Sequence, residues 1–477
     1  MKILKHYIDG QFVAPAVAAG RFAVIDPATE QPVAQILMGS GADAERAVAA
    51  ALRAFATWAA VPLATRLQLM ERLLAVYQRR YGEMAGAITT EMGAPHDLAA
   101  RAQAAAGSGH IGETIAAARA LDWEVKLRGG ATVLREPVGV CGLITPWNWP
   151  MNQICAKVAP ALAAGCTVVL KPSEQAPLSA QLFAELVHEA GFPAGVFNMV
   201  QGTGPAVGQA LAAHPDIDMI SFTGSTRAGV SVAKASADTV KRVAQELGGK
   251  SPNIVFADAE VGTAIRRGVA HCFNNTGQSC NAPTRMIVED SIYDRAVEVA
   301  VAAGAAVQVD VPTKPGKHLG PVASRMQFEK IQRCIEQGIA DGARLVLGGP
   351  GRPPGFDTGF YVRPTIFADV VNTMSVAREE IFGPVLAILR FRTLEEAVQI
   401  ANDTVYGLAA YVQSGDLDKA RRVARQLRAG SVYLNGAPQD YDAPFGGFKQ
   451  SGNGREGGVY GLAEFLEFKV INDHGAA

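Results

Sequence analysis

The sequence predicts an α/β protein with two Rossmann-like parallel-sheet domains and a separate β arm, and three observations carry the prediction. Between residues 138 and 247, short apolar runs (139–145, 166–170, 196–200, 219–222 and 240–246) alternate with helical stretches opening near Asn152, Ser179, Pro205 and Thr226. Such alternation argues a parallel sheet covered on both faces, since parallel strands need crossover connections. A second alternating region runs from Ser251 to about Asn435, and two such domains meeting at a cleft is the natural reading. Between 121 and 138 the apolar period drops to two around Gly129-Gly130, a hairpin signal. Few neighbouring residues can cover this hairpin, so it reads as an interrupting arm that pairs with something distant. The alternating stretch Phe465-Leu466-Glu467-Phe468-Lys469-Val470-Ile471 is another such strand.

Taken in order, the first 40 residues read as short strands and turns, with Asp9-Gly10 and Asp26-Pro27 as turn signals. Asp43 reads as the cap of a helix carrying Val48, Leu52, Phe55 and Trp58. A second helix, from about Thr65, carries Leu67, Met70, Leu74, Tyr77 and Tyr81 and stops near Gly93 and Pro95; a third runs to about Leu121. The resulting division places a first domain at 1–120 and 139–248, a second at 249–445, and the arm at 121–138 and 459–477. No internal repeat or low-complexity linker interrupts it.

Composition excludes several function classes. The 477 residues are 49% hydrophobic and 19% charged, with net charge -1, which argues against disorder and against a basic nucleic-acid surface. No stretch approaches the roughly 20 apolar residues of a membrane span, and the start lacks the apolar core of a signal peptide, so the expected location is cytoplasmic. The six cysteines contain no C-x-x-C pair, so neither zinc-ligand nor thioredoxin-like spacing is present, and reduced thiols are expected.

One of those cysteines sits in unusual company. Phe273-Asn274-Asn275-Thr276-Gly277-Gln278-Ser279-Cys280-Asn281-Ala282-Pro283-Thr284-Arg285 surrounds a thiol with glycine, amides and hydroxyls, poor core-building material. Backbone N–H groups converging on a tight turn favour a thiolate, although most free cysteines are buried small hydrophobes. Two other stretches precede it, Thr145-Pro146-Trp147-Asn148-Trp149-Pro150 and Glu246-Leu247-Gly248-Gly249-Lys250. In this order the three resemble the signature of the aldehyde dehydrogenase superfamily. The likeness covers essentially the whole chain, through Glu379-Glu380-Ile381-Phe382-Gly383-Pro384 to Pro444-Phe445-Gly446-Gly447-Phe448-Lys449-Gln450-Ser451-Gly452.

The resemblance implies NAD(P)+-dependent oxidation of an aldehyde to a carboxylic acid, with Cys280 as nucleophile, the Asn148 amide and Cys280 N–H as oxyanion donors, and Glu246 as general base. Asn148 as a turn-former and Glu246 as a strand-end partner of Lys250 are the plainer alternatives. His271 invites a Cys/His hydrolase reading, but no dyad motif supports it. For the cofactor, Gly202-Thr203-Gly204-Pro205-Ala206-Val207-Gly208 looks like a dinucleotide loop with one residue too many before Gly208. Gly224-Ser225-Thr226-Arg227-Ala228-Gly229 follows the strand ending at Phe222 and opens a helix, which suits a pyrophosphate or is an ordinary capped helix start; the resemblance favours the former, with Phe222 and Thr223 beside it at the cofactor. Lys171-Pro172-Ser173-Glu174 lies at a strand's carboxyl end. There the resemblance makes Lys171 and Glu174 adenosine-ribose contacts beside Ser173, and a carboxylate there selects NAD+ over NADP+; Ser173 capping a helix is the alternative. Glu380 and Phe382 are implied at the nicotinamide ribose and ring, with Thr145, Pro146, Trp147 and Leu247 also at the cofactor.

The retained general base favours hydrolysis of the thioester over its transfer to coenzyme A. The acylating subgroup is the enzymatic alternative, and an idle structural or redox-sensing relative the remote one. No metal is expected, and the resemblance makes the hairpin and the C-terminal strand an oligomerisation arm, hence a homodimer or homotetramer. Aliphatic or aromatic aldehydes are the expected substrates, in a mostly apolar and aromatic tunnel lined by Trp149 and Phe445, with Met151, Phe273, Asn281 and Tyr441 as further candidates; for all six a place in the core is the equal alternative. No arginine cluster marks the mouth, which disfavours a carboxylated semialdehyde, though a single distant arginine would reverse that. Asp442 is a weak candidate for attracting a cationic aldehyde.

Overall fold

The computed structural model describes residues 2–17 and 19–472. Two seven-stranded sheets dominate it. The first runs Arg242–Glu246, Met219–Thr223, Val140–Ile144, Thr167–Lys171 and Phe197–Met199, all parallel, then His6–Ile8 and Gln11–Val13 added antiparallel at the edge. The second runs Arg344–Leu347, Thr365–Ala368, Val385–Phe391, Arg285–Glu289, Pro252–Val255, Ala409–Gln413 and Ser431–Leu434, parallel except for its first strand. The α/β reading with two Rossmann-like sheets holds.

Helix Pro150–Ala164 explains how the first sheet is held. Fourteen of its fifteen residues are buried, and a helix that is apolar on every side belongs inside a core. Ile154, Val158 and Leu162 pack in the largest apolar cluster, each side chain contributing about 1.5–3 kcal/mol of burial. Three residues break that helix's apolar rule, Asn152, Gln153 and Lys157, and all reappear at the candidate site.

The hairpin Glu124–Lys126 and Thr132–Pro137 pairs antiparallel with Leu466–Ile471, so its distant partner is the C-terminal strand. The outer face of that strand is bare: Phe468 is 65% exposed and Val470 53%.

Local expectations needed two corrections. The first helix, Gly41–Trp58, is capped by Ser40, while Asp43 sits three residues in and closes a capping box by accepting the Ser40 N–H at 3.0 Å. The expected single helix from Thr65 is two, Leu63–Arg79 and Tyr81–Met92, broken at Arg80, which leaves helical dihedrals and pairs with Glu83 and Glu185. The apolar period runs unbroken across the joint, so the break is invisible in it. Among the described residues no helix is long and apolar enough to cross a membrane.

Candidate active site

The parallel strands of the first sheet deliver polar residues to one edge. In register, Ile144 lies beside Phe222 and Lys171, and Thr223 beside Glu246. Thr145, Lys171, Thr223 and Glu246 therefore line the carboxyl ends of four neighbouring strands, where open α/β sheets bind ligands. Thr145, Thr223 and Glu246 are buried there, and the two hydroxyls and both Glu246 carboxylate oxygens have no hydrogen-bond partner among the described residues. Buried polar atoms are ordinarily paired, and each orphan costs about 1–3 kcal/mol. Such a row fits a site built for something else to complete.

Facing this edge is the loop that carries Cys280. Helix Val261–Phe273 ends at Phe273, and Asn275, Thr276 and Gly277 follow with φ of 54°, 55° and 72°. Left-handed backbone costs a non-glycine residue about 1–2 kcal/mol, so the turn persists only because its surroundings fix it. Asn275 Nδ2 donates to the carbonyls of Asn148 (2.9 Å) and Gln278 (3.1 Å), Thr276 donates to Gly320 O, and Gln278 Oε1 accepts Ala323 N–H. Gly277 admits no side chain: a Cβ there would lie 2.1 Å from the carbonyl of Gly383. The turn thus packs directly on the segment that carries Glu380 and Phe382.

Asn148 is buried and donates one amide hydrogen to Gln278 O at 3.0 Å, leaving the other for a ligand. Trp149 Nε1 donates to Ser279 Oγ at 2.8 Å, tying the same loop from the neighbouring side. Among the described residues the Cys280 N–H has no acceptor.

Electrostatics correct one expectation. Burial, then the carboxylates Glu380, Glu246 and Glu456, push the Cys280 thiol far up, with only the Asn281 N–H opposing. The free protein therefore holds a thiol at neutral pH rather than the thiolate suggested by the polar turn. Burial also drives the Glu246 carboxyl well above the carboxylate range, and Glu456 adds to it while Lys157 and Arg455 oppose. Lys157 Nζ sits 2.5 Å from Glu456 and 3.1 Å from Ser221 Oγ, all inside the protein. A raised, unpaired carboxyl near a raised thiol is a pair that needs a proton to move before it reacts.

The remaining predicted residues divide. Lys171 pairs with Glu174 at 3.0 Å. Ser173 accepts the Gln175 N–H rather than capping the next helix, whose cap is Ala176. Ser225 caps helix Thr226–Ser236 by accepting the Ala228 N–H, and Gly229 in that helix packs on buried Leu247. Gly204 and Gly208 bound a single π-helical turn capped by Thr203, and Gly208 packs on Ile144 at the end of its strand. Glu380 accepts the Gly249 N–H at 3.0 Å, and a Cβ on Gly248 would meet its carboxylate at 2.3 Å. Phe382, at φ 61°, sets its ring edge-on to Trp147 at 5.5 Å, next to Pro146 in the chain.

Cys280 opens onto a cavity of about 350 Å³. Trp149, Asn281, Tyr441 and Phe445 line it, whereas Met151 and Phe273 are core residues turned away from it. The cavity wall is more apolar than polar, as expected, and to it Asn152, Gln153, Asn274, Asn281 and Gln439 add five carboxamides, beside His110 and His271. Asp440 lines it rather than Asp442, and a single arginine, Arg101, stands on its wall.

A sequence model described as the aldehyde dehydrogenase family matches residues 13–471. The chain belongs to the aldehyde dehydrogenase family. It is 54% identical over 466 residues to a 3-succinoylsemialdehyde-pyridine dehydrogenase of a Pseudomonas species, covering 98% of this chain and 97% of that one. The crystal structure of an aldehyde dehydrogenase from Bartonella henselae superposes with a TM-score of 0.97 at 52% identity, covering 99% of each chain. A mutant aldehyde dehydrogenase C from Pseudomonas syringae, crystallised with NAD+ and octanal, gives the same TM-score and identity over 98% of this chain and 96% of that one.

Sequence reasoning missed several residues of this dehydrogenase site. Lys157 had a signal, a lone charge in an otherwise apolar helix. Glu456 reaches the site because 445 and 456 form an antiparallel bridge, Phe445 N–H to Glu456 O at 2.7 Å and the reverse at 2.8 Å. Nothing in its glycine-rich neighbourhood announces that.

Proposed function

We propose that this aldehyde dehydrogenase oxidises its substrate with NAD+ through a covalent Cys280 adduct, and that water releases the acid. The observation that carries the reading is Glu246, buried with both carboxylate oxygens unpaired and electrostatically coupled to Cys280. An aldehyde carbon gives up no hydride until a nucleophile makes it tetrahedral, and Cys280 supplies that nucleophile once the Glu246 carboxylate takes its proton. The free hydrogen of Asn148 Nδ2 and the Cys280 N–H hold the resulting oxyanion, each donor being worth about 100- to 1000-fold in rate. NAD+, when bound, supplies the hydride acceptor. Glu246, its proton passed on to solvent, then activates water against the thioester.

The residues present fit that cofactor. The orphan Thr145 and Thr223 hydroxyls and the Gly248 cradle occupied by Glu380 lie where a nicotinamide nucleotide would bind. The Lys171–Glu174 pair offers a ribose diol an ammonium and a carboxylate, and a carboxylate there repels a 2′-phosphate. Thr145, Trp147, Glu380 and Phe382 would hold the nicotinamide end; Lys171, Ser173, Glu174, Phe222, Gly224, Ser225 and Gly229 the adenosine end. Gly204 and Gly208, whose turn packs on the end of strand Val140–Ile144, stand beside them.

For the substrate, the amide-rich cavity favours an aldehyde whose far end carries hydrogen-bonding groups, a semialdehyde with a carbonyl or heteroaromatic end, over a plain alkanal. Arg101 on the wall removes the objection to semialdehydes that an arginine-free mouth would raise. The bare strand Leu466–Ile471 and the open edge strand Ser431–Leu434 suit pairing between copies in a homo-oligomer. NADH formation with alkyl, aryl, keto- and carboxy-aldehydes, beside Cys280→Ala and with NADP+ replacing NAD+, tests these points together. The expectation is activity only with Cys280, the highest kcat/KM on keto- or aryl-semialdehydes, and NAD+ preferred. Preference for octanal over every polar semialdehyde contradicts the substrate reading, and acyl-CoA as the sole product in the presence of coenzyme A contradicts the hydrolytic one.

A further inference from the structure

We infer that Gln103 is a positioning residue for the oxyanion donor Asn148, acting through Asn275; the inference rests on the role assigned to Asn148 above. Gln103 ends a five-residue π-helix, Ala99–Gln103, set between helical segments. Single π-turns of this kind cluster at functional sites because they redirect one or two side chains. Here the turn sends Arg101 and Ala102 to the wall of the Cys280 cavity, while Gln103 is fully buried.

Inside, Gln103 Nε2 donates to Asn275 Oδ1 at 2.8 Å and meets Met92 Sδ at 3.3 Å. Asn275 Nδ2 in turn donates to the carbonyls of Asn148 (2.9 Å) and Gln278 (3.1 Å), and Gln278 O also accepts from Asn148 Nδ2 (3.0 Å). The Gln103 and Asn275 carboxamides therefore lead, through the Asn148 and Gln278 carbonyls, to the amide of the oxyanion donor. Those two carbonyls can only accept, so they fix which end of the Asn275 amide faces them, while Gln103 supplies the one donor to Asn275 Oδ1 and holds the amide in place from behind. Without that donor the buried Oδ1 is left unpaired and Asn275 is drawn toward other partners, and an oxyanion donor misplaced by fractions of an ångström stabilises much less.

A purely structural part for Gln103 fits poorly with its cost. Its Oε1 is buried and has no partner among the described residues, so only the donor end of the amide, which serves Asn275 and meets Met92, is used. A position that keeps an incompletely paired amide beside a catalytic loop is accounted for by what that amide orients.

Gln103→Met, which keeps volume and removes the donor, tests this. The expected result is a kcat about 10- to 100-fold down, somewhat less than for loss of a donor itself, with aldehyde KM within about threefold and Tm within about 3 °C. Alkylation of Cys280 by iodoacetamide, which develops no oxyanion, should stay within about twofold, because the thiol is untouched. In an Asn148→Ala background the same change should cost less than about twofold, since coupled residues are non-additive. A parental kcat, a loss that multiplies fully with Asn148→Ala, or alkylation falling in step with kcat would each overturn the inference. If Asn148→Ala itself leaves kcat intact, the oxyanion assignment falls and this inference with it; if Asn148→Ala is slow and Gln103→Met is not, only the inference falls. Should Gln103→Met fail to fold, Asn275→Asp decides by the same readouts, because aspartate tolerates the left-handed backbone yet loses both donors.

Discussion

The two ends of the strand edge that carries the candidate site are built on opposite rules. At the Lys171 end charge is paired and backbone is anchored: Lys171 meets Glu174, and the helix Pro177–Ala190 that follows is locked by buried Glu91, which accepts the Leu178 and Ser179 N–H groups and the Ser179 hydroxyl. At the Cys280 end, Glu246, Thr145 and Thr223 lack partners among the described residues, and Asn275, Thr276 and Phe382 sit in left-handed backbone. The difference teaches where a fold spends stability. Groups that only have to be in place are satisfied within the chain, whereas groups that must act are left with valences open and held by their neighbours.

The largest break in that comparison comes from Gly277→Ala. The new Cβ meets the Gly383 carbonyl at 2.1 Å and sits at φ 72°, so we expect a loss of at least about 2 kcal/mol of stability and a kcat at least about 100-fold down, read by thermal unfolding and NADH formation. A parental Tm and rate would show that the turn is not under the constraint described.

At the Lys171 end the effect is smaller and lies in pH. Burial raises the Glu91 carboxyl to about 8 despite its hydrogen bonds to Ser179 and Leu178. A raised pKa means the native state binds the proton more tightly than the unfolded chain, so this contribution is complete below about pH 4.5 and is lost as pH rises through about 8. The slope reaches roughly 1.4 kcal/mol per pH unit within that window. Glu91→Gln should therefore unfold at a Tm that gains on the parent between pH 5 and 8. A variant that instead loses ground as pH rises would show that Glu91 is ionised and that its three donors outweigh burial.

The same contrast explains what could be read from sequence. The two parallel sheets were legible because period and length repeat along the chain, and the site's centre was legible because Cys280, Asn148 and Glu246 stand in local stretches that make poor core. Glu456, Lys157 and Gln103 were not, because their importance is set by which distant atoms they face. Proximity to a motif places Met151 and Phe273 equally in the tunnel or in the core, and helix phase decides for the core. The polar turn suggests a thiolate because local N–H groups lower a thiol's pKa, whereas burial and three carboxylates, all distant in sequence, push Cys280 the other way.

The central claim is that one buried, unpaired carboxylate serves both halves of the reaction, and rapid-mixing measurement of NADH formation by Glu246→Gln across pH 6–9 tests it most directly. The account predicts a first turnover that is slow near neutrality, where the raised thiol lacks its base, and quickens as pH climbs toward the thiol's own ionisation. The steady-state rate should remain about 100- to 10,000-fold below the parent at every pH. A first turnover and a steady state both within a few-fold of the parent would contradict it.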